Sequence, residues 1–403
     1  MRTLYLSHTG MVEPLGQSQV LPYLRGLAAH GADIEIVSFE PVGTTTEQLE
    51  QLRARMRQDG IAWRPLVRSR SHSFARKLFE AGNGVAQGLL ASLQKRPDII
   101  HTRSYLPAAV GDAIRALSPR SKLLFDCRGM LGDEYVDAGH WRESSYKYRL
   151  VKRVERRLFA QSNGIVVLTD ALARWLREHA LVPAQTPMEA VPCCVDTAAY
   201  RVDADVRARA RQEHGLGDRP VLIYSGTLGS WYMEREMVQF ASKLRALLPE
   251  LVFMVLTRAN TDSLRALADA AGWGDALRVA SVAPADMPRA LACGDVGLSF
   301  IRPCFSKTGS SPTKNAEYLA SGLTLVANEG IGDVGALRGQ EGCLILSDTS
   351  DAALDDGVRA VADQLRVPYT ERARAARAVA LQHFDLAAVG VPRYLRLYER
   401  MLA

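Results

Sequence analysis

No apolar run in these 403 residues approaches the roughly twenty needed for a membrane-spanning helix. The six cysteines (Cys127, Cys193, Cys194, Cys293, Cys304 and Cys343) form no Cys-x-x-Cys pair. They lie scattered among apolar residues, so reduced, buried thiols are expected rather than a metal site or a disulfide framework. No Gly-x-Gly-x-x-Gly run follows the first strand, so the dinucleotide fingerprint is absent. Zinc-finger spacing, an RNA-binding aromatic motif and a basic tail are missing too, which argues against nucleic acid as a partner. Lysine is scarce. Eight lysines stand among 50 basic residues, and arginine supplies the rest.

What is present is an ordinary globular balance, 47% hydrophobic and 23% charged, with a net charge of +6. The length exceeds what a single core usually covers, so two domains are expected. The excess positive charge favours acidic partners such as nucleotides or anionic lipid headgroups. The opening residues, Met1 to His8, are too short in their apolar part for a signal peptide and read as a first β-strand. A cytoplasmic protein is the expectation.

Short β-branched runs alternate with helical patterns. In the first half the runs are 3–7, 34–39, 61–67, 99–101, 123–126 and 165–168. Helical patterns lie between them at 19–29, 73–94, 108–117, 145–160 and 171–178. The alternation restarts at 221–225 and continues through 252–257, 277–281, 296–301, 323–327 and 343–346. Strands alternating with helices imply mostly parallel sheets covered on both faces. The fold expected is α/β, with two doubly wound Rossmann-like domains facing a central cleft. The boundaries expected are 1–196, 197–385 and a tail helix 386–403 that could pack back on the first domain.

The stretch Ser310-Ser311-Pro312-Thr313-Lys314-Asn315-Ala316-Glu317 carries the most chemistry. Ser311 is expected to cap a helix with Pro312 at its first position. The amides of the first turn and the positive end of the helix dipole then form an anion site. Lys314 adds a cation, and Glu317 falls on nearly the same face. Phosphates at one end and hydroxyls at the other make a nucleotide-sugar a fitting ligand. Lys307 flanks the same loop. The turn Tyr224-Ser225-Gly226-Thr227 suits phosphate cradling. In the first half, the loop from His8 to Gln19 carries Gly10, Gly16 and Gln17 after the first strand. His101 and Arg128 each follow a strand and could line the cleft. Asp203-Ala204-Asp205 spells a metal motif, but it lies in the linker and is discounted. The basic helix 145–160 offers a peripheral membrane contact.

These segments resemble GT-B-fold glycosyltransferases of the family-4 retaining kind. The resemblance runs from Glu13-Pro14-Leu15-Gly16-Gln17-Ser18-Gln19 through Arg96-Pro97-Asp98-Ile99-Ile100-His101 and Gly164-Ile165-Val166-Val167-Leu168-Thr169. It ends in Glu317-Tyr318-Leu319-Ala320-Ser321-Gly322. It implies transfer of a sugar from a nucleotide diphosphate donor to a glycan or lipid-linked acceptor, without a metal, in polysaccharide or glycolipid assembly. It implies that Glu317 binds the donor ribose and Ser310 to Lys314 the diphosphate, and that the Gly16 loop approaches the donor. Three positions depart from the family pattern: Gly309 and Thr227 replace a glutamate and an arginine, and Arg128 replaces a histidine. Near Tyr232 the usual lysine is missing. Lys307, Lys314 and Arg128 are expected to take over the contacts. A sugar-nucleotide epimerase and a non-catalytic nucleotide-sugar binder share the same motifs.

Overall fold

The computed structural model describes residues 1–68 and 74–403, with the side chains of 74–81 left aside. The chain divides into two compact units. One comprises Met1–Pro192 with Leu386–Ala403, the other Cys193–Asp385.

The first unit holds a seven-stranded parallel sheet in the order β3-β2-β1-β4-β5-β6-β7. Its strands are β1 (Arg2–Ser7), β2 (Asp33–Glu40), β3 (Ile61–Val67), β4 (Ile99–Arg103), β5 (Lys122–Asp126), β6 (Gly164–Val167) and β7 (Met188–Ala190). The central strands are buried along their whole length, which is why they read as continuous apolar runs. The second unit holds six parallel strands in the order β10-β9-β8-β11-β12-β13. They are β8 (Val221–Ser225), β9 (Val252–Leu256), β10 (Leu277–Ala280), β11 (Val296–Ser299), β12 (Thr324–Asn328) and β13 (Cys343–Leu346). Both sheets reverse direction of winding beside their first strand, between β1 and β4 and between β8 and β11. In such sheets ligands usually sit outside the carboxyl ends of the strands beside such a reversal.

Several expectations shift. β4 runs two residues beyond His101 to Arg103, so His101 is mid-strand, between Tyr5 and Leu124. β7 is an extra strand. Helices Thr46–Gln58 and Leu131–Asp137 were not anticipated. The expected helix 73–94 is Phe74–Lys95, and Ser73 lies outside the described residues. The tail is helix Tyr369–His383, a π-turn at Leu386–Gly390 and helix Val391–Leu402. That last helix packs on the first sheet: Val391 fills the space above Gly26, and Met401 lies against Gly164. Asp203 caps helix Ala204–Glu213 through the amides of Asp205 and Val206, which gives the linker acid a structural task. All six cysteines are free thiols.

Candidate functional site

The second unit carries the clearer site. After β11 the chain makes a short 3-10 turn, Phe305–Gly309, and then helix Thr313–Ala320. The expected serine cap does not form. Pro312 takes the cap position with extended backbone, and the Ser311 hydroxyl accepts the Cys193 amide at 3.1 Å. The amides of Thr313 and Lys314 have no partner within the helix, so this N-terminus carries an unspent partial positive charge. Thr313 and Ser310 are partly exposed beside it.

Lys314 is 8% exposed, and its Nζ makes no hydrogen bond among the described residues. The ammonium lies over two aromatic faces, 4.0 Å from the Tyr224 ring centroid and 4.4 Å from that of Tyr232. Burial pulls it from the ordinary lysine range down to about 7, against an opposing pull from Glu317. Tyr232 thus stands where the resemblance expects a lysine, and it supplies a π face to Lys314 instead. Lys307, also buried, lies over Trp231 at 3.7 Å.

Gly226 ends β8 with φ of +130°, a conformation that favours glycine. A β-carbon there would come within 2.9 Å of Lys314 Nζ. Thr227 follows, exposed on the same turn. The turn is anchored from below. Tyr318, one residue after Glu317, accepts the Ser225 amide at 2.6 Å and fills the space over Gly297, which has no side chain to obstruct it. Glu317 sits one turn beyond Lys314 and accepts the Tyr200 hydroxyl at 3.1 Å. Burial raises its carboxyl above the usual range, with Tyr200 and Lys314 pulling the other way. The structure therefore brings Gly226, Lys314 and Glu317 together, with Thr227 next on the same turn. Tyr200, Tyr224 and Tyr232 are neighbours of this group that the sequence alone did not single out.

In the first unit the loop after β1 is tied inward by carboxylates. Glu13 accepts the Gly10 amide at 2.5 Å, and Glu40 accepts those of Met11 and Val12 at 2.9 and 3.0 Å. Gly16 lies in helix Pro14–Gln19, where a β-carbon would strike the Gly10 carbonyl. Gln17 donates to the Met11 carbonyl at 2.5 Å. Gly16 and Gln17 thus shape this loop.

Arg128 and His101 meet at Asp126, which is fully buried. Arg128 lies 3.4 Å and Arg103 3.6 Å from its carboxylate. His101 Nε2 is 3.6 Å away, while its Nδ1 lies 2.6 Å from the Tyr398 hydroxyl. Tyr394 donates to the same carboxylate at 3.0 Å. Burial alone would raise Asp126. The Arg128 charge, His101 and Arg103 outweigh it and hold the carboxyl well below its usual range. Burial lowers His101, so the imidazole is neutral at pH 7. His101 is 1% exposed and so presents no surface of its own.

Among the described residues no helix is long and apolar enough to cross a membrane. Helix Tyr146–Gln161 packs only the second half of its apolar face, Val154 and Leu158, into the core and leaves the first half exposed. Tyr146 is 69% and Leu150 54% exposed, next to exposed Lys147, Arg149 and Arg153.

Residues 16–194 match the family described as a glycosyl transferase 4-like domain. Over 259 residues, the chain is 26% identical to a GDP-mannose-dependent alpha-(1-6)-phosphatidylinositol monomannoside mannosyltransferase of Mycolicibacterium smegmatis. That stretch is 62% of this chain and 65% of that enzyme. Anabaena HepE, solved with UDP and glucose, superposes with a TM-score of 0.73 at 13% identity, over 99% of this chain and all of that one. WaaG, a glycosyltransferase involved in lipopolysaccharide biosynthesis, superposes with a TM-score of 0.68 at 14% identity, covering 98% of this chain and 99% of that one. Residues 16–194 are thus similar to a glycosyl transferase 4-like domain, and the chain as a whole shares the GT-B fold of these structures. The Lys314–Glu317 helix lies in the second unit, outside the matched residues 16–194.

Proposed function

We propose that this protein moves a sugar from a nucleotide diphosphate donor, held on the second unit, to a hydroxyl of a glycan or lipid-linked acceptor. The observation that carries the reading is Lys314: a buried amine with no hydrogen-bond partner among the described residues, beside an open helix N-terminus and a glycine turn. A diphosphate supplies what that arrangement lacks. In the reaction, the bond between the anomeric carbon and the diphosphate oxygen breaks. The acceptor oxygen bonds to that carbon, and its proton is released. Negative charge grows on the leaving diphosphate. Fixed cations and amides aimed at that charge lower the barrier without reorganising at the moment of reaction. Lys314, Lys307 and the amides of Ser311 to Thr313 and Lys314 that lack partners are assigned this work, so the reading needs no metal. (Pro312 has no amide hydrogen to give.) Ser310, Thr313, Gly226 and Thr227 border the phosphates. Glu317, held by Tyr200, takes the ribose hydroxyls. Retention of configuration follows the family resemblance.

On the first unit, Arg128 faces the sugar and acceptor, with Asp126 and His101 as its positioning residues. Gly16 and Gln17 hold the neighbouring loop in shape. The exposed Tyr146 and Leu150, ringed by basic side chains, support a peripheral contact with an anionic membrane surface, where a lipid-linked acceptor would reside. The reading includes a peripheral position at the cytoplasmic side of the membrane.

The test is turnover of UDP- and GDP-sugars by folded Lys314→Ala and Glu317→Ala. Both are expected to lose about a hundredfold or more in kcat/KM, the scale of removing an electrostatic stabiliser. Wild-type rates in both would remove the assignment. Donor converted to a different sugar without any acceptor would indicate an epimerase. Donor affinity without product in any acceptor pool would indicate a binding protein.

A further inference from the structure

We propose that binding of the donor diphosphate draws one proton from solvent onto Lys314. The inference rests on the donor reading above.

The surroundings of the amine offer little to hold a charge. Tyr224 of β8 and Tyr232 of the following turn present ring faces to it. A cation over such faces gains on the order of 0.5–2 kcal/mol, less than burial of an unpaired ammonium costs. The phenols of Tyr224 and of Tyr318 are both pushed upward by burial, so neither supplies an anion near neutral pH. Glu234, beyond Tyr224, gives one carboxylate oxygen to the Gly229 amide at 2.7 Å. Glu317 on the same helix is the charge that acts on Lys314, and it is engaged by Tyr200. Burial, opposed only by Glu317, therefore brings the amine to about 7. Gly226 carries no side chain, so the turn stands directly beside the nitrogen, where a β-carbon would come within 2.9 Å. An opposite charge within ~4–6 Å raises such a group by about 1–3 units. The empty site is thus partly neutral at physiological pH and becomes charged as the phosphates arrive. No covalent bond changes. A solvent proton joins the amine nitrogen's lone pair.

The experiment is titration calorimetry of the full chain with UDP and, separately, GDP at pH 8. Each titration is run in two buffers of different ionisation enthalpy. At that pH a rise of 1–3 units from about 7 gives an uptake of about 0.4–0.9 proton per nucleotide bound. Affinity is expected to fall about tenfold per pH unit above 7. Lys314→Arg keeps a cation that does not titrate in this range, so its uptake drops to near zero. If arginine does not fit, Lys314→Gln gives weaker binding with no uptake. Binding of the wild type with less than about 0.2 proton taken up overturns the inference and leaves the donor reading intact. So does undiminished uptake in the variants. Failure of both nucleotides to bind overturns the reading and the inference together.

Discussion

Tyr394 of the tail helix donates its hydroxyl to Asp126 at 3.0 Å, across 268 residues of sequence. The last helix therefore completes the buried charge cluster at the centre of the first sheet, where Asp126 also meets Arg128.

Removing that hydroxyl leaves a buried carboxylate short of one donor. Tyr394→Phe is expected to destabilise the protein by about 1.5–3 kcal/mol, the range for a hydrogen bond to a charged group. Denaturant unfolding measures it. The cluster has a pH signature as well. Asp126 is held below its unfolded value near 4, so its stabilising contribution is present above that value and is lost progressively as pH falls from there towards the lower folded value. Wild-type stability should drop between pH 5 and 3. Asp126→Asn should be weaker at pH 7 and lose less over that interval.

Lys314 has the opposite sign. Its folded value of about 7 lies below the unfolded lysine value, so the unfolded chain binds more protons between the two. Stability of the ligand-free protein therefore rises with pH from about 7 to about 10. Lys314→Met should flatten this rise and raise the melting temperature at pH 7 by a few degrees, on the order expected for 1–2 kcal/mol in a domain of this size. Donor binding is lost in exchange. A variant that melts lower than wild type at every pH would contradict the description of an unpaired buried ammonium.

Gly226→Ala tests the close approach of the glycine turn to that amine. The substitution strains a backbone at φ +130° and brings a methyl within 2.9 Å of Lys314 Nζ. Donor KM should rise about tenfold or more, in line with strain of 1–3 kcal/mol. Steady-state kinetics with varied donor decides it.

The exposed face of helix Tyr146–Gln161 should bind vesicles. Wild-type protein is expected to sediment with anionic vesicles at low salt and to be released at high salt. Tyr146→Ser with Leu150→Ser should abolish sedimentation without changing the melting temperature, because both side chains are largely exposed. Equal binding to neutral vesicles would remove the electrostatic component.

The two sheets were legible because their central strands are buried on both faces and leave long β-branched runs. β7 was missed because it has three residues and carries Glu189 in its middle. Helix Thr46–Gln58 was missed because charged residues dominate it and only Leu52 and Met56 are buried. Its Thr45–Gln48 capping box was the available signal. At the site, Lys314 and Glu317 stood out from their spacing on one helix. Ser311 misled, because its hydroxyl answers an amide at Cys193 and not its own helix. Tyr200 lies 117 residues from Glu317, and sequence spacing carries no trace of such a pairing. The π faces under Lys314 were hidden for the same reason, although Tyr224 and Tyr232 flank the glycine turn. His101 was read at a strand end because the two residues after it, Thr102 and Arg103, are polar yet still belong to β4.

A crystal structure with UDP or GDP bound tests the central claim most directly. The account predicts phosphate oxygens about 3 Å from Lys314 Nζ and from the first amides of helix Thr313–Ala320, with the ribose hydroxyls on Glu317. A nucleotide seated elsewhere, with Lys314 still enclosed between Tyr224 and Tyr232 and touching no phosphate, would contradict it.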